Sequence, residues 1–209
     1  MKKQMEDLGY KGPFCDPCTL RMFDARVAVM RLLAEQICQL DILGDVAELG
    51  VFQGEFSALI STAFPDRKIH LFDTFEGFSE KDVSIESAGN LSRARAGDFS
   101  CTDVDSVLHI MPDPENTVIH KGWFPDTFSD AVEETFCFVS LDADLYAPTA
   151  AALPLFYDHL ATGGALLIHD VYSTQFSGCR KAVEEFCLKN HLFPDPVCDL
   201  HGSVIIRKL

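Results

Sequence analysis

The chain has 209 residues, a length that suits one α/β domain with a sizeable core. Its formal net charge of −15 at pH 7 argues against nucleic-acid binding, which needs a basic stripe, and against an anionic membrane surface as well. No apolar run reaches the roughly 18 to 20 residues of a membrane helix, and no signal peptide is recognisable. We therefore expect a cytoplasmic protein with reduced cysteines that binds neither nucleic acid nor membrane.

The first half of the chain alternates predicted helices and strands. Residues 1–18 predict a loose lead-in, and apolar positions at helical spacing predict a helix over 20–40. We assign residues 1–40 to an N-terminal element that packs on the core or on an acceptor site. Residues 79–103 are polar and carry no periodicity that assigns them. The other predicted elements here are strand 45–50, helix 54–64 and strand 68–73.

The second half continues the alternation and closes with a predicted hairpin over 196–208. Strands alternating with helices predict a parallel sheet with helices on both faces, and the hairpin adds an antiparallel strand at or near one edge. A Gly-Gly turn is predicted to lead into the strand that ends at Asp170. The remaining predicted elements are short helix 106–111, strand 116–122, short helix 126–134, strand 136–142, helix 147–160 and helix 178–191.

Glycines follow the first predicted strand, in the stretch ELGVFQGEFS. Gly50 and Gly54 let a ligand approach the backbone closely while the chain turns into the next helix, and Glu48 stands just before them. The three-glycine pattern of dinucleotide-binding folds is absent, and a plain strand-to-helix turn remains an alternative. We predict a cofactor contact at this turn, without a pyrophosphate.

An acidic residue ends the second predicted strand. Asp73 lies 25 positions after Glu48 (73 − 48), the distance that one helix and one strand require. A carboxylate at this place can accept both hydroxyls of a ribose. A nucleoside cofactor without phosphates points, by elimination, to S-adenosylmethionine.

Several stretches together resemble the macrocin O-methyltransferase family, whose motifs occur in the same order over roughly residues 40–175. The resemblance implies a Rossmann-like class I methyltransferase fold over residues 41–209, with a seven-stranded, mostly parallel sheet. It also implies S-adenosylmethionine as methyl donor and, usually, a magnesium ion. The stretches are DVAELGVFQGEFSALI, LFDTFEGF, GDFSCT, HKGWFPDTF, VSLDADLYAPTAAAL and TGGALLIHDVY.

The same resemblance implies positions for the cofactor. Glu48 and Gly50 are expected at its methionine part, and Asp73 at the ribose with Thr74 and Phe75 close to the adenosine. The expected adenine contacts are Gly122 and Trp123, with a lid formed by Asp98 and Phe99. For Trp123 a partly buried packing role remains the alternative.

The stretch FVSLDADLYAPT places Asp142 and Asp144 at the end of an apolar strand. A buried carboxylate without a partner is costly, so a cation, a metal, a proton or water must compensate it. The resemblance implies that Asp142 binds the metal beside the cofactor and that Asp144 stands where a catalytic base lies. Asp170 follows Asp142 by 28 positions (170 − 142) and completes the predicted metal site from the adjacent strand. A solvated loop start with a capping aspartate is the alternative.

His169 departs from the family pattern, which has an Asp-Asp pair where this chain has His169-Asp170. Imidazole is a poorer ligand for Mg²⁺ than for Mn²⁺, Fe²⁺ or Zn²⁺. Three roles stay open for His169: ligand of a softer metal, general base of a metal-free enzyme, or hydrogen-bond partner beside Asp142.

Together these features predict an enzyme that transfers a methyl group from S-adenosylmethionine to a hydroxylated small molecule, sugar-like or catechol-like, with a divalent metal, either Mg²⁺ or Mn²⁺ or another ion. Metal-independent N- or O-methylation with His169 or Asp144 as base is one alternative, and a non-catalytic module that only binds the cofactor is another. A homodimer stays open.

Overall fold

The computed structural model of the chain describes residues 25–131, 133–199 and 202–209. The predicted lead-in over 1–18 and the Cys15 and Cys18 thiols lie outside these residues. All cysteines among the described residues are free. No helix in the same ranges has the length and apolar character needed to cross a membrane.

A seven-stranded sheet forms the centre of the molecule, in the order β3-β2-β1-β4-β5-β7-β6. The first five strands pair in parallel, whereas β7 pairs antiparallel with both β5 and β6. This mixed sheet confirms the predicted fold class. The strands are β1 (Asp45–Leu49), β2 (Ile69–Asp73), β3 (Thr117–Lys121), β4 (Phe136–Leu141), β5 (Leu160–Ile168), β6 (Asp195–Pro196) and β7 (Val204–Arg207).

Helices connect the strands and cover both faces of the sheet, and most agree with the predicted ranges. The short 3₁₀ helices are Pro114–Asn116 and Asp126–Ala131. The α-helices are α1 (Ala25–Gln39), α2 (Glu55–Ala63), α3 (Glu80–Gly89), α4 (Val104–Ile110), α5 (Tyr146–His159) and α6 (Ser177–Asn190).

Helix α3 lies in the segment that sequence periodicity left unassigned. The Ser79 hydroxyl accepts the Asp82 N–H and caps its first turn. Its buried face carries Asp82 and Glu86, which are acidic, so no apolar stripe marks the helix. Glu86 instead accepts the N–H of Tyr146 at 2.7 Å and thereby satisfies the first turn of α5.

Two other elements differ from the predictions. The predicted α-helix over 126–134 is a 3₁₀ helix that ends at Ala131. Gly163 and Gly164 lie inside β5, which already begins at Leu160, and do not form a turn before it. A side chain on Gly164 would meet the carbonyl oxygens of Cys137 and Ala161, so the close approach of backbones explains this glycine.

Apolar side chains fill both faces of the sheet, and every residue of β4 is buried. An aromatic cluster around Phe72, Phe136 and Phe156 packs one face with ring centroids 5.5 to 5.6 Å apart. The central strands therefore have fixed positions, and the polar residues that follow them lie at one edge of a rigid platform.

Backbone hydrogen bonds continue past the carboxyl ends of the parallel strands. Asp142 N–H donates to Leu49 at 2.8 Å, and His169 N–H donates to Leu141 at 2.8 Å. Gly50 donates to Phe72, and Gly122 to Asp73, in the same manner. Each residue just beyond a strand is thus tied to the end of the neighbouring strand.

Candidate active site

A cavity of about 880 Å³ lies at the carboxyl ends of the parallel strands. It includes the point between β1 and β4 where the strand order reverses, the place at which open α/β sheets bind ligands. Its volume is within the range of small-molecule sites. The residues singled out from the sequence that line it are Glu48, Gly50, Asp73, Thr74, Phe99, Gly122, Trp123, Asp142, Asp144, His169 and Asp170.

Gly50 permits the close approach of the first turn to β4. Its φ of 87° lies in the left-handed region that favours glycine, and a Cβ there would lie 2.1 Å from the carbonyl oxygen of Asp142. The residue therefore keeps the β1–α2 turn against the end of β4, at the floor of the cavity.

Glu48 is a buried acid beneath this turn. Ser57 donates a hydrogen bond to one carboxyl oxygen, and Ser140 donates to the other at 3.2 Å. Burial raises the pKa of Glu48 to about 8, against the opposing effects of the Ser57 hydrogen bond and the Arg26 charge. In the free protein at neutral pH, Glu48 is therefore mainly a neutral acid.

This buried acid makes stability depend on pH. From pH 4.5, the ordinary pKa, to about 8, the folded protein keeps a proton on Glu48 that the unfolded chain has lost. The unfolded state then binds fewer protons, so the unfolding free energy falls as pH rises through this window. Because Gln does not titrate, we expect Glu48→Gln to remove that loss. The unfolding free energy of the variant relative to wild type should therefore increase by on the order of 2 to 4 kcal/mol from pH 5 to pH 8. Urea unfolding at both pH values measures it. The control is the exposed Glu115→Gln, and equal slopes for wild type and Glu48→Gln contradict the prediction.

Asp73 organises the two loops that face the centre of the cavity. Its Oδ2 accepts the N–H groups of Val51 and Phe52 at 2.7 and 3.1 Å, and its Oδ1 accepts that of Phe75 at 2.8 Å. One carboxylate thus fixes both the β1–α2 turn and the chain after β2. The Thr74 hydroxyl also lies 3.5 Å from Oδ1, but it donates to the Gly77 carbonyl at the shorter distance of 2.8 Å. A carboxylate has about four acceptor positions, so one remains for a ligand hydroxyl.

Trp123 lies at the end of the cavity next to β3. Its indole N–H donates to Asp82 at 3.0 Å, and the Lys81 ammonium lies 3.5 Å from the ring centroid. Asp82 also receives the Ser79 hydroxyl at 2.7 Å. Helix α3 therefore fixes the ring as a flat wall of the cavity.

Asp142 is held between two cations. Arg26 Nη1 lies 2.5 Å from its Oδ2, and His169 Nδ1 lies 2.8 Å from its Oδ1. Burial alone would raise the pKa of Asp142, but the His169 hydrogen bond and the Arg26 charge outweigh burial and bring it to about 2. Asp142 is therefore ionised at neutral pH.

His169 is shared between two carboxylates, since its Nδ1 also lies 2.9 Å from Asp170 Oδ2. Burial lowers the pKa of His169, but the hydrogen bonds to Asp142 and Asp170 prevail and raise it to about 10. Asp170 responds in the opposite sense. Burial raises its pKa, but the His169 hydrogen bond and charge dominate and lower it.

Asp144 is the carboxyl that takes up a proton most readily in this cluster. Burial raises its pKa well above the ordinary value, and the nearby Asp142 charge and the hydrogen bond with Asp170 raise it further. Asp144 and Asp170 have φ values of 58° and 57°, a backbone region in which Asp and Asn are among the tolerated residues.

Three predicted residues lie outside the cavity lining. Gly54 precedes α2, Phe75 is buried in the apolar core, and Asp98 accepts the Arg95 N–H at 2.8 Å. Each shapes a loop of the site. Arg26 and Asp82 line the cavity but were missed from the sequence, because one lies in an ordinary helix and the other in an unassigned segment.

Phenylalanine side chains form another wall of the cavity. Phe99 is the one member of this wall that a sequence motif singled out. Phe99 contacts Phe52 and Phe78 edge to face, with centroids 5.5 and 5.2 Å apart, and Phe78 contacts Phe176 at 6.1 Å. These four rings come from four separate loops, so only the folded chain brings them together. The four rings line the same cavity as the carboxylates of Asp142, Asp144 and Asp170.

Comparisons with known proteins agree with this architecture. A curated relative, the demethyldecarbamoylnovobiocin O-methyltransferase of Streptomyces niveus, is 26% identical over 176 residues, which are 78% of this chain and 66% of that protein. The chain thus spans just under two thirds of that relative. The solved O-methyltransferase NovP has a TM-score of 0.71 at 22% identity, covering 88% of this chain and 79% of NovP.

A second solved structure, the O-methyltransferase from Bacillus cereus in complex with SAH, has a TM-score of 0.59 at 13% identity and covers 87% of this chain and 81% of that one. These likenesses show a shared fold. The profile of one family, described as Macrocin-O-methyltransferase (TylF), matches residues 16–207. The chain belongs to the macrocin-O-methyltransferase family.

Proposed function

We propose that this protein transfers a methyl group from S-adenosylmethionine to a hydroxyl oxygen of a small molecule. The observation that carries the proposal is one continuous cavity that joins the Gly50 and Asp73 loops to the carboxylate cluster at Asp142 and Asp144. A cofactor end and a proton-accepting end therefore meet in one space. The family, and the bound product named for the Bacillus cereus structure, support this choice.

The cofactor would lie across the ends of β1 and β2. Its methionine part would lie at the turn of Gly50, beside Glu48 and Asp142, of which the ionised Asp142 suits an ammonium group. Its ribose would take the remaining acceptor capacity of Asp73 near Thr74, and its adenine would stack in the region of Trp123. Phe99 would cover the opening, which keeps its predicted lid role. This order follows the strand ends of the sheet.

Asp144 is the proposed proton acceptor. A base with a raised pKa removes a hydroxyl proton more readily than an ordinary carboxylate, provided that it is ionised when the acceptor binds. The positive charge of the sulfonium cofactor favours that ionised form. His169 suits this role less well, because its raised pKa keeps it protonated. Positioning of acceptor and sulfonium supplies much of the remaining rate enhancement.

The cluster of Asp142, His169 and Asp170 fits a divalent cation. The single Nδ1–H of His169 cannot form a linear hydrogen bond to both Asp142 and Asp170. An oxygen of each nevertheless lies within 2.9 Å of that nitrogen. Ligand atoms that flank one octahedral ion lie about 3 Å apart, given metal–ligand distances of about 2.1 Å. These atoms would hold the ion with His169 as a neutral imidazole, and a mixed set of this kind favours Mn²⁺ or Fe²⁺ over Mg²⁺. When bound, the ion would stabilise negative charge on an acceptor oxygen.

A hydroxylated acceptor would enter between the carboxylate cluster and the phenylalanine wall of Phe52, Phe78, Phe99 and Phe176. Such a wall suits a flat or ring-shaped molecule, as both sugar-like and catechol-like compounds are. The name of the Streptomyces relative, demethyldecarbamoylnovobiocin O-methyltransferase, supports a natural-product acceptor.

Methyl transfer can be tested with S-adenosylmethionine that carries a labelled methyl group and a panel of hydroxylated sugars and catechols. We expect the label to appear on one acceptor class by mass spectrometry, with formation of S-adenosylhomocysteine. Calorimetry with S-adenosylhomocysteine alone checks the cofactor site. Absence of cofactor binding overturns the proposal, and binding without transfer to any hydroxyl supports the non-catalytic alternative.

Metal binding has its own measurement. We expect Mn²⁺ to bind wild type and Asp170→Asn to weaken that binding by about 10- to 100-fold, measured by calorimetry and by Mn²⁺ paramagnetic resonance. A second group of potential ligand atoms, at Asp45, His70 and Glu134, lies elsewhere. Asp45→Asn is therefore the matched control and should leave the affinity unchanged. Equal affinities of wild type and Asp170→Asn rule out the proposed site.

A further inference from the structure

Arg26 is the least expected charged group in the cavity. It extends from the first turn of α1, and its side chain is only 12% exposed. The guanidinium carbon lies 4.0 Å from the centroid of the Phe56 ring on α2, and Nη1 lies 2.5 Å from Asp142 on the far side of the cavity floor. The cation is thus fixed between a helix and a strand end.

Neutralising Asp142 does not by itself require an arginine. The other oxygen of Asp142 already faces His169 at 2.8 Å. Removing a guanidinium from water is costly, and an apolar side chain could dock α1 onto Phe56 without that cost. The location of the charge therefore points to a ligand.

The chemistry of the neighbours indicates which ligand group is recognised. Arg26 lines the cavity together with Glu48, Gly50 and Asp142, the end where the methionine part of the cofactor is proposed to lie. That part is an amino acid with an ammonium and a carboxylate on one carbon. Asp142 suits the ammonium, and a planar guanidinium fork is the side chain that best matches a carboxylate.

We propose that Arg26 binds the α-carboxylate of S-adenosylmethionine while Asp142 receives the α-ammonium. The ion pair of the free protein then holds both groups in place for the zwitterion, so little reordering accompanies binding. This assignment rests on the proposed cofactor. Arg26 would then distinguish a cofactor that carries its α-carboxylate from an analogue that lacks it.

Wild-type protein provides the first test, because it involves no change in the fold. Calorimetry compares S-adenosylhomocysteine with its decarboxylated analogue, which lacks only the α-carboxylate. We expect the analogue to bind about 30-fold more weakly, the effect of losing charged hydrogen bonds. Equal affinities overturn the assignment. If neither compound binds, the proposed function fails instead.

Variants then assign the effect to one side chain. Arg26→Gln should reduce the affinity for S-adenosylhomocysteine by about 30-fold and leave that for the decarboxylated analogue within about twofold. Arg26→Lys should restore part of the difference. The matched control Arg180→Gln removes an exposed arginine that pairs with Glu184 and should change neither affinity. A similar loss for both ligands in Arg26→Gln shows a merely structural role and contradicts the proposal.

Discussion

Asp144→Asn is expected to lower kcat for methyl transfer by about 10²- to 10⁴-fold, because the amide cannot accept the hydroxyl proton. The substitution keeps the shape of the side chain, and asparagine tolerates the φ of 58° at this position. Its amide N–H can also replace the proton that joins Asp144 to Asp170. The loss should therefore appear in chemistry and not in folding.

The measurement is steady-state methyl transfer at saturating concentrations of cofactor and of the acceptor that the mass-spectrometric screen identifies, together with calorimetry of S-adenosylhomocysteine. The cofactor affinity of Asp144→Asn should stay within about threefold of wild type. The exposed Asp158→Asn on α5 is the control and should retain full activity. A kcat within a few-fold of wild type assigns the proton to another acceptor.

Gly50 has no functional side chain, yet we expect Gly50→Ala to lower the stability of the protein strongly and to abolish cofactor binding. The added Cβ would lie 2.1 Å from the backbone oxygen of Asp142, and a backbone atom cannot move aside as a flexible side chain can. Left-handed strain of about 1 to 2 kcal/mol adds to the overpacking. We expect a loss of about 3 to 5 kcal/mol in unfolding free energy and no measurable cofactor binding.

Gly97→Ala separates the clash from the strain. Gly97 has a similar φ of 81°, but a Cβ there meets nothing within 4 Å. It should therefore lose only about 1 to 2 kcal/mol, from the conformation alone. Chemical unfolding of the two variants measures the difference, and equal losses would show that the contact with Asp142 has no energetic weight.

The sheet is predictable from the sequence because its signals are local. Apolar runs such as β4 stop at polar residues, and the strand ends then follow from the alternation of elements. Chain distances alone therefore predict that Asp73, Asp142 and Asp170 lie at one edge of the sheet. Their juxtaposition requires only that the parallel strands be neighbours.

The rest depends on tertiary contacts that leave no periodic signal. Helix α3 buries Asp82 and Glu86 against Trp123 and the first turn of α5, so an apolar-stripe criterion misses it. Arg26 reaches Asp142 across 116 positions of the chain. Likewise, the sequence identifies His169 as a departure from the family, but its position between two carboxylates follows only from the folded chain.

The backbone hydrogen bonds beyond the strand ends divide the residues of the cavity into those tied to the sheet and those carried on loops. Asp142 and His169 are anchored through their own N–H groups to neighbouring strands, so the carboxylate cluster shares the rigidity of the sheet. The phenylalanine wall lies on four loops, and two of these loops bond to each other through the backbone: Phe78 N–H donates to Asp98 and Gly97 N–H donates to Phe78, each at 3.0 Å. Residues 173–176 carry Phe176 and none of the residues proposed to bind the cofactor or the metal. Exchange of this segment could change the acceptor while the methyl-transfer chemistry stays intact, which offers a route to new acceptors by loop grafting.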